Sequence, residues 1–243
     1  MTDRVWQRGS QGLEVAIVAY HGVLADETDA FREVLTRIPG TRLFTVGEDR
    51  GTVAGPGGAQ EVEERFADVS RADVVVVPGG LGTHRHPEIA LWLRRVRPRW
   101  ILASSTGTAL LAAAGLLRQR TAATHWLAGP LLERYGAIPS TERLIVDRPF
   151  VTCSGLASAF DAAFVVADEA GGPLLVRRIR HQLTERADQP STCQPPRTRY
   201  RSRPARRVAA PTDTAPAPAG GRGLTTFVEV ELEDHPPDPR RDS

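Results

Sequence analysis

Residues 100–117 read WILASSTGTALLAAAGLL. Trp100, Ile101 and Leu102 make an apolar run, residues 103–107 are small, and residues 109–117 are helix formers. This order predicts a strand, a sharp turn and a helix, with Ser105 at the apex of the turn. Ala103-Ser104-Ser105-Thr106-Gly107 has the pattern of a nucleophile elbow, small–x–nucleophile–x–Gly, in which small side chains let strand and helix approach closely. An elbow holds its apex side chain over the carboxyl end of a sheet, beside the N–H groups that open a helix. The chemistry of this chain therefore turns on what Ser105 does.

The flanking sequence supplies the rest of such a sheet. Residues 13–19 (LEVAIVA) are almost wholly apolar, as in a strand buried on both faces. Ala30, Phe31, Val34, Leu35 and Ile38 give residues 26–38 the period of an amphipathic helix. Strand character returns at 41–46, and the Gly-rich residues 47–60 read as a hairpin or excursion. Residues 72–77 (ADVVVV) form a strand that Pro78-Gly79-Gly80 ends, and 87–96 a helix with Pro87 in its first turn. A strand at 99–104 and a helix at 107–117 follow. Then come strands at 122–125, 143–146 and 150–153, and helices at 127–134 and 156–169. Strands alternating with helices predict an α/β three-layer sandwich with a mainly parallel sheet. Its site lies beyond the carboxyl ends of the strands. There the loop at 20–27, the Pro78-Gly79-Gly80 turn and the elbow converge.

Composition narrows the function classes. A chain of 243 residues that is 41% apolar and 25% charged fits one sizeable domain with a tail. All its Lys/Arg content is Arg, and the net charge of +2 calls for no nucleic-acid partner. Cys153 and Cys193 stand in unlike segments, which argues against a disulfide framework or a cysteine zinc site. No metal or cofactor motif is read. No run reaches the roughly eighteen apolar residues of a membrane span, and residues 1–12 lack an apolar signal core, so the expected location is cytoplasmic.

Composition shifts after about residue 187. Residues 197–207 hold six arginines and no acid, and 209–221 are Pro, Ala, Thr and Gly apart from Asp213. This tail is expected to be disordered because it buries too little apolar surface to offset ordering entropy, with one candidate strand at 224–232. The expected organisation is a domain over 10–172, a helical extension over 173–187 and the tail over 188–243. Phosphate contacts by the tail would be non-specific and salt-sensitive.

The string ILASSTGTALLAAAGLLRQRTAATHW (101–126) resembles the ThiJ/PfpI superfamily, also called class I glutamine amidotransferase-like, with a flavodoxin-like sandwich. Within it the resemblance is to the branch of isonitrile hydratases and the sensor halves of AraC-type regulators. VVVVPGG at 74–80 and SGLASAFDAAFVVA at 154–167 support it, and it covers roughly residues 13–172. The resemblance implies a homodimer, a small-molecule ligand, a Cys at the elbow and an acid beside it. Ser105 stands where that Cys is expected, followed by Thr106 as in the hydratases. The acid falls on Glu27 if Tyr20-His21-Gly22 aligns with the family's Tyr-Pro-Gly, and on Asp26 after a slip of one residue. The regulators carry further residues with two helix-turn-helix units, which the tail does not resemble.

Each candidate carries two readings. A thiol of pKa about 8.5 is already partly thiolate at neutral pH, whereas a serine hydroxyl needs a positioned base. Ser105 is therefore read as inactive or re-purposed, or as a side chain that merely fits a tight turn. The N–H groups of Gly79 and Gly80, with that of Thr106, form an oxyanion hole or only a strand-ending turn. His125 is a base for Ser105 or a satisfied strand-end residue, and Trp126 lines the pocket or packs. Asp26 and Glu27 also suit a helix N-terminus. Cys153 reads as a small buried apolar residue, and Asp161 as a buried, paired carboxylate. Asp161 followed by His181 also gives the chain order of a serine α/β-hydrolase. Three functions stay open: a non-catalytic binding domain, an isonitrile hydratase-like enzyme using Ser105 or an activated water, and a protein acting through its tail.

Overall fold

A computed structural model describes residues 12–187, which lie within one compact unit. The disorder expected of 188–243 and the strand expected at 224–232 lie outside the described residues. The chain runs β1 (Glu14–Val18), α1 (Ala25–Leu35), β2 (Arg42–Gly47), β3 (Gly51–Gly55), β4 (Gly58–Val62), β5 (Glu64–Arg65) and β6 (Val74–Val77). It continues with α2 (Pro87–Arg95), β7 (Trp100–Ser104), α3 (Gly107–Ala113), β8 (Thr121–Ala123), α4 (Gly129–Arg134), β9 (Ile138–Ser140), β10 (Leu144–Asp147), β11 (Phe150–Cys153) and α5 (Leu156–Ala187). Single 3₁₀ turns at Thr83–Arg85 and Trp126–Ala128 precede α2 and α4.

A seven-stranded sheet in the order β10-β11-β7-β6-β1-β2-β5 forms the middle layer. Every neighbouring pair is parallel except β10 with β11. Ala16 of β1 lies opposite Phe44 of β2 and Val75 of β6, so the three central runs share one register. Side chains alternate across it. Ala16, Val75, Ile101 and Ala103 join Ile89 and Trp92 of α2 and Leu110 and Leu111 of α3 in one core. Ile17, Val76, Leu102 and Val151 meet Phe31 and Val34 of α1 and Ala159 and Val166 of α5 in the other. Burial on both faces explains why these strands read as unbroken apolar runs.

Observed boundaries depart from the sequence expectation where local chemistry overrides periodicity. The helix expected to 117 stops at Ala113, and Gly115 at φ +75° supplies the left-handed turn that closes it. The helix expected at 156–169 and the helical extension expected over 173–187 join in one element, α5, broken at the non-helical Gly172 (φ +72°) ahead of Pro173. The excursion at 47–60 is the antiparallel β3–β4 hairpin. Two strands escaped prediction: β5 has only two residues, and β9 contains Pro139 in a small parallel pair with β8. Asp161 is paired but not buried. Its side chain is 43% exposed and sits 3.7 Å from Arg143 and 3.9 Å from Arg180, on the outer side of α5.

Candidate functional site at the elbow

β7 ends at Ser104 and α3 begins at Gly107, so two residues make the reversal. Ser105 takes φ +53°; among the described residues the only other non-glycine with positive φ is Gln119. An L-residue there costs about 1–2 kcal/mol, and neighbours on two sides hold it. The Ser105 N–H donates to the Cys153 carbonyl at 2.9 Å, and the Thr124 hydroxyl donates to the Ser105 carbonyl at 2.7 Å. Two glycines make room. A Cβ on Gly107 would stand 2.3 Å from the Val77 carbonyl oxygen. A Cβ on Gly79 would stand 2.7 Å from Ser105 Cβ, 3.0 Å from Ser105 Oγ and 2.8 Å from Glu27 Oε2. Ser105 and Glu27 thus crowd the same glycine.

Glu27 lies in the first turn of α1 and is 4% exposed. Its Oε2 accepts the Gly79 N–H at 2.8 Å and the Ser104 hydroxyl at 2.6 Å. Asp26, one step round the helix, is exposed and faces the β3–β4 turn, its Oδ1 3.1 Å from the place of a Cβ on Gly57. The structure therefore brings Glu27, and not Asp26, to Ser105.

The oxyanion-hole reading of Gly79 and Gly80 needs correction. The Gly79 N–H is held by Glu27. The Gly80 N–H donates to Thr106 Oγ1 at 2.9 Å, and the same hydroxyl donates to the Gly80 carbonyl at 2.8 Å. Thr106 and Glu27 thus engage two of the three N–H groups read as donors to a developing oxyanion. His125 is not assembled with Ser105 either. Its Nδ1 accepts the Leu127 N–H at 3.3 Å, and its segment reaches Ser105 through the Thr124 hydroxyl instead. Trp126 is 76% exposed, so it does not pack into the core. The hydrolase order fails as well: Asp161 pairs with arginines, and His181 pairs with Glu185 on the exposed side of α5. Among the described residues no group of three or more His, Cys, Asp and Glu is placed to hold a metal ion, and no helix is long and apolar enough to cross a membrane.

Three site residues escaped the sequence reading: Ser104, Thr124 and Tyr20. The Tyr20 hydroxyl donates to the Pro78 carbonyl at 2.9 Å and so fixes the end of β6. Burial, and then the Glu27 carboxyl, push the Tyr20 phenol above its ordinary range. A signal existed for Ser104, a hydroxyl closing an otherwise apolar strand. Cys153 lies beside Ser104 in register but is fully buried. Burial first, and Glu27 second, push its thiol up to about 12. It is therefore not placed or ionised to serve as the nucleophile of the elbow. In the folded protein Cys153 is expected to resist iodoacetamide at about pH 8 and to react only after unfolding, because the thiolate is the reactive form. Mass mapping of the alkylated peptide checks this.

Known proteins share this architecture. An isonitrile hydratase from Pseudomonas putida is 32% identical over 157 residues, covering 62% of this chain and 69% of its own length. The HTH-type transcriptional regulator CdhR of Pseudomonas aeruginosa is 28% identical over 149 residues, covering 58% of this chain and 44% of the regulator. The chain thus matches less than half of that regulator. Among solved structures, a ThiJ/PfpI family protein from Pseudomonas syringae superposes with a TM-score of 0.67 at 23% identity, over 80% of each chain. The family description DJ-1/PfpI matches residues 14–169, from the first strand of the sheet into α5, and the chain belongs to the DJ-1/PfpI family.

Proposed function

We propose that this is a non-catalytic small-molecule-binding domain of the sensor type, with Ser105 in place of a nucleophilic cysteine. Glu27, Gly79, Gly80, Ser105 and Thr106 line its pocket, and His125 stands at the mouth. The observation that carries this reading is the commitment of the elbow's neighbours. The Gly79 and Gly80 N–H groups are bonded to Glu27 and Thr106, and His125 Nδ1 is bonded to Leu127. A serine hydroxyl in that setting finds two of its three candidate oxyanion donors and the Nδ1 of its candidate imidazole base already engaged. It remains a good hydrogen-bond donor and acceptor for a polar ligand. The similarity to the regulator CdhR favours sensing, and a homodimer fits the same reading.

Thermal unfolding tests it against a panel of short carboxylates, amides, alkyl isonitriles and their formamides. At about a hundredfold excess over its dissociation constant, a true ligand raises the wild-type Tm by about 5 °C or more. Glu27→Gln loses most of that rise. A panel member that shifts both proteins equally binds elsewhere and counts against the assignment.

The second reading is an isonitrile hydratase-like enzyme in which Ser105, or a water held by Glu27, attacks the substrate. It is favoured by the 32% identity to the Pseudomonas putida hydratase and by the shared crowding of Glu27 and Ser105 at Gly79.

A further inference from the structure

His86 stands at the N-cap position of α2 without capping it, and its ring lies between two acceptors. Nδ1 is 2.9 Å from Glu88 Oε1, and Nε2 is 3.0 Å from the His21 carbonyl oxygen. A carboxylate and a carbonyl only accept, and a neutral imidazole carries one N–H. Both contacts are hydrogen bonds together only when both ring nitrogens are protonated. The Tyr20 ring, 5.0 Å away and tilted by 57°, gives the cation an aromatic neighbour. The ring is also sheltered, with side-chain exposures of 16% for His86 and 24% for Glu88.

What His86 grips is the loop that leads to Glu27. Beyond His21, the Gly22 carbonyl accepts the Leu81 N–H at 2.8 Å, and the Leu24 N–H donates to the Gly79 carbonyl at 2.8 Å. We propose that His86 is a proton-operated latch that clasps this loop to α2 and thereby sets the mobility of the elbow site. The latch walls a cavity of about 240 Å³.

The charges around it are few. From the chain just after β1 comes the neutral Tyr20 phenol. From the loop comes His21, whose Nδ1 takes the Ala54 N–H at 3.4 Å. The β2–β3 turn contributes Glu48, Asp49 and Arg50, the last held by Glu64 at 2.6 Å. Glu88 stands on α2 itself, and His84 and Arg85 precede His86 in the chain. A cation at a helix N-terminus is opposed by the helix dipole, and Glu88 in the first turn offsets this. When the proton leaves, Nδ1–H stays with the carboxylate, the stronger acceptor. The Nε2 lone pair then faces the His21 oxygen, and the clasp opens.

Amide hydrogen exchange tests the latch, read as protection factors at about pH 5.5 and about pH 8.5, either side of the imidazole range. In wild type the protection of the Gly22, Leu24 and Leu81 amides falls about tenfold at the higher pH, the size expected for losing one charge-assisted bond. The β6 amides serve as the internal reference. His84→Gln keeps this response. His86→Phe shows the low protection at both values. Glu88→Gln shows the high protection at both, because the Gln amide donates to neutral Nδ1 and leaves Nε2–H on the His21 carbonyl. Unchanged protection in wild type overturns the proposal, as does a fall that survives in His86→Phe or Glu88→Gln. Should His86→Phe fail to fold, Glu88→Gln and His84→Gln still decide it.

Discussion

Gly107→Ala destabilises the protein by at least about 3 kcal/mol, the upper end of what overpacking costs. The reason is local. The added methyl group would lie 2.3 Å from the Val77 carbonyl oxygen and 2.6 Å from that of Pro78. Both obstacles are backbone, so no rotamer change relieves them. β7 and α3 must instead move away from β6, which unseats Ser105. Gly115 is the control. It has positive φ, at +75°, with nothing within 4 Å of an added Cβ, so Gly115→Ala costs only the backbone strain, about 1 kcal/mol. Urea unfolding of both variants beside wild type measures the difference. A loss at Gly107 no larger than that at Gly115 would mean that the close approach to Val77 and Pro78 is relieved at little cost.

Glu27→Leu is expected to cost about 3 kcal/mol by a different route. Removing the carboxylate strands two buried donors, the Gly79 N–H and the Ser104 hydroxyl, each worth about 1–3 kcal/mol when left unpaired. Glu27→Gln keeps an acceptor oxygen of nearly the same shape and is expected to recover all but about 1 kcal/mol. Ser104→Ala in the Glu27→Leu background then costs little, because the donor that lost its partner is gone. Chemical denaturation of wild type, Glu27→Leu, Ser104→Ala and the double variant closes this double-mutant cycle. A Glu27→Gln variant as unstable as Glu27→Leu would show that charge, rather than acceptor geometry, holds the loop.

The sheet was legible because its strands are buried on both faces and need unbroken apolar runs, as at 74–77 and 100–104. The elbow was legible because two elements meet where only small residues fit. Even the choice between Asp26 and Glu27 was within reach. Glu27 lies four residues before Phe31 and seven before Val34, both buried, whereas Asp26 shares a face with Asp29 and Glu33. The family resemblance, carried by residues 101–126, fits the DJ-1/PfpI match over 14–169. The commitment of the Gly79 and Gly80 amides was not legible. It joins residues 52 and 26 positions apart, which no local period encodes. Nor was the placement of Asp161, whose apolar neighbours on α5 suggest burial. Its carboxylate projects to Arg143, which precedes β10, and to Arg180, which comes near only because α5 continues past Gly172.

The central claim is that Ser105 binds and does not attack. The direct measurement is isonitrile hydration by wild type, Ser105→Ala and Ser105→Cys in parallel, following the N-substituted formamide. The account predicts no formamide from wild type or Ser105→Ala. Activity confined to Ser105→Cys would locate the silence in a single atom of an otherwise competent pocket. Formamide produced by wild type and lost in Ser105→Ala would contradict the account and make Ser105 the nucleophile.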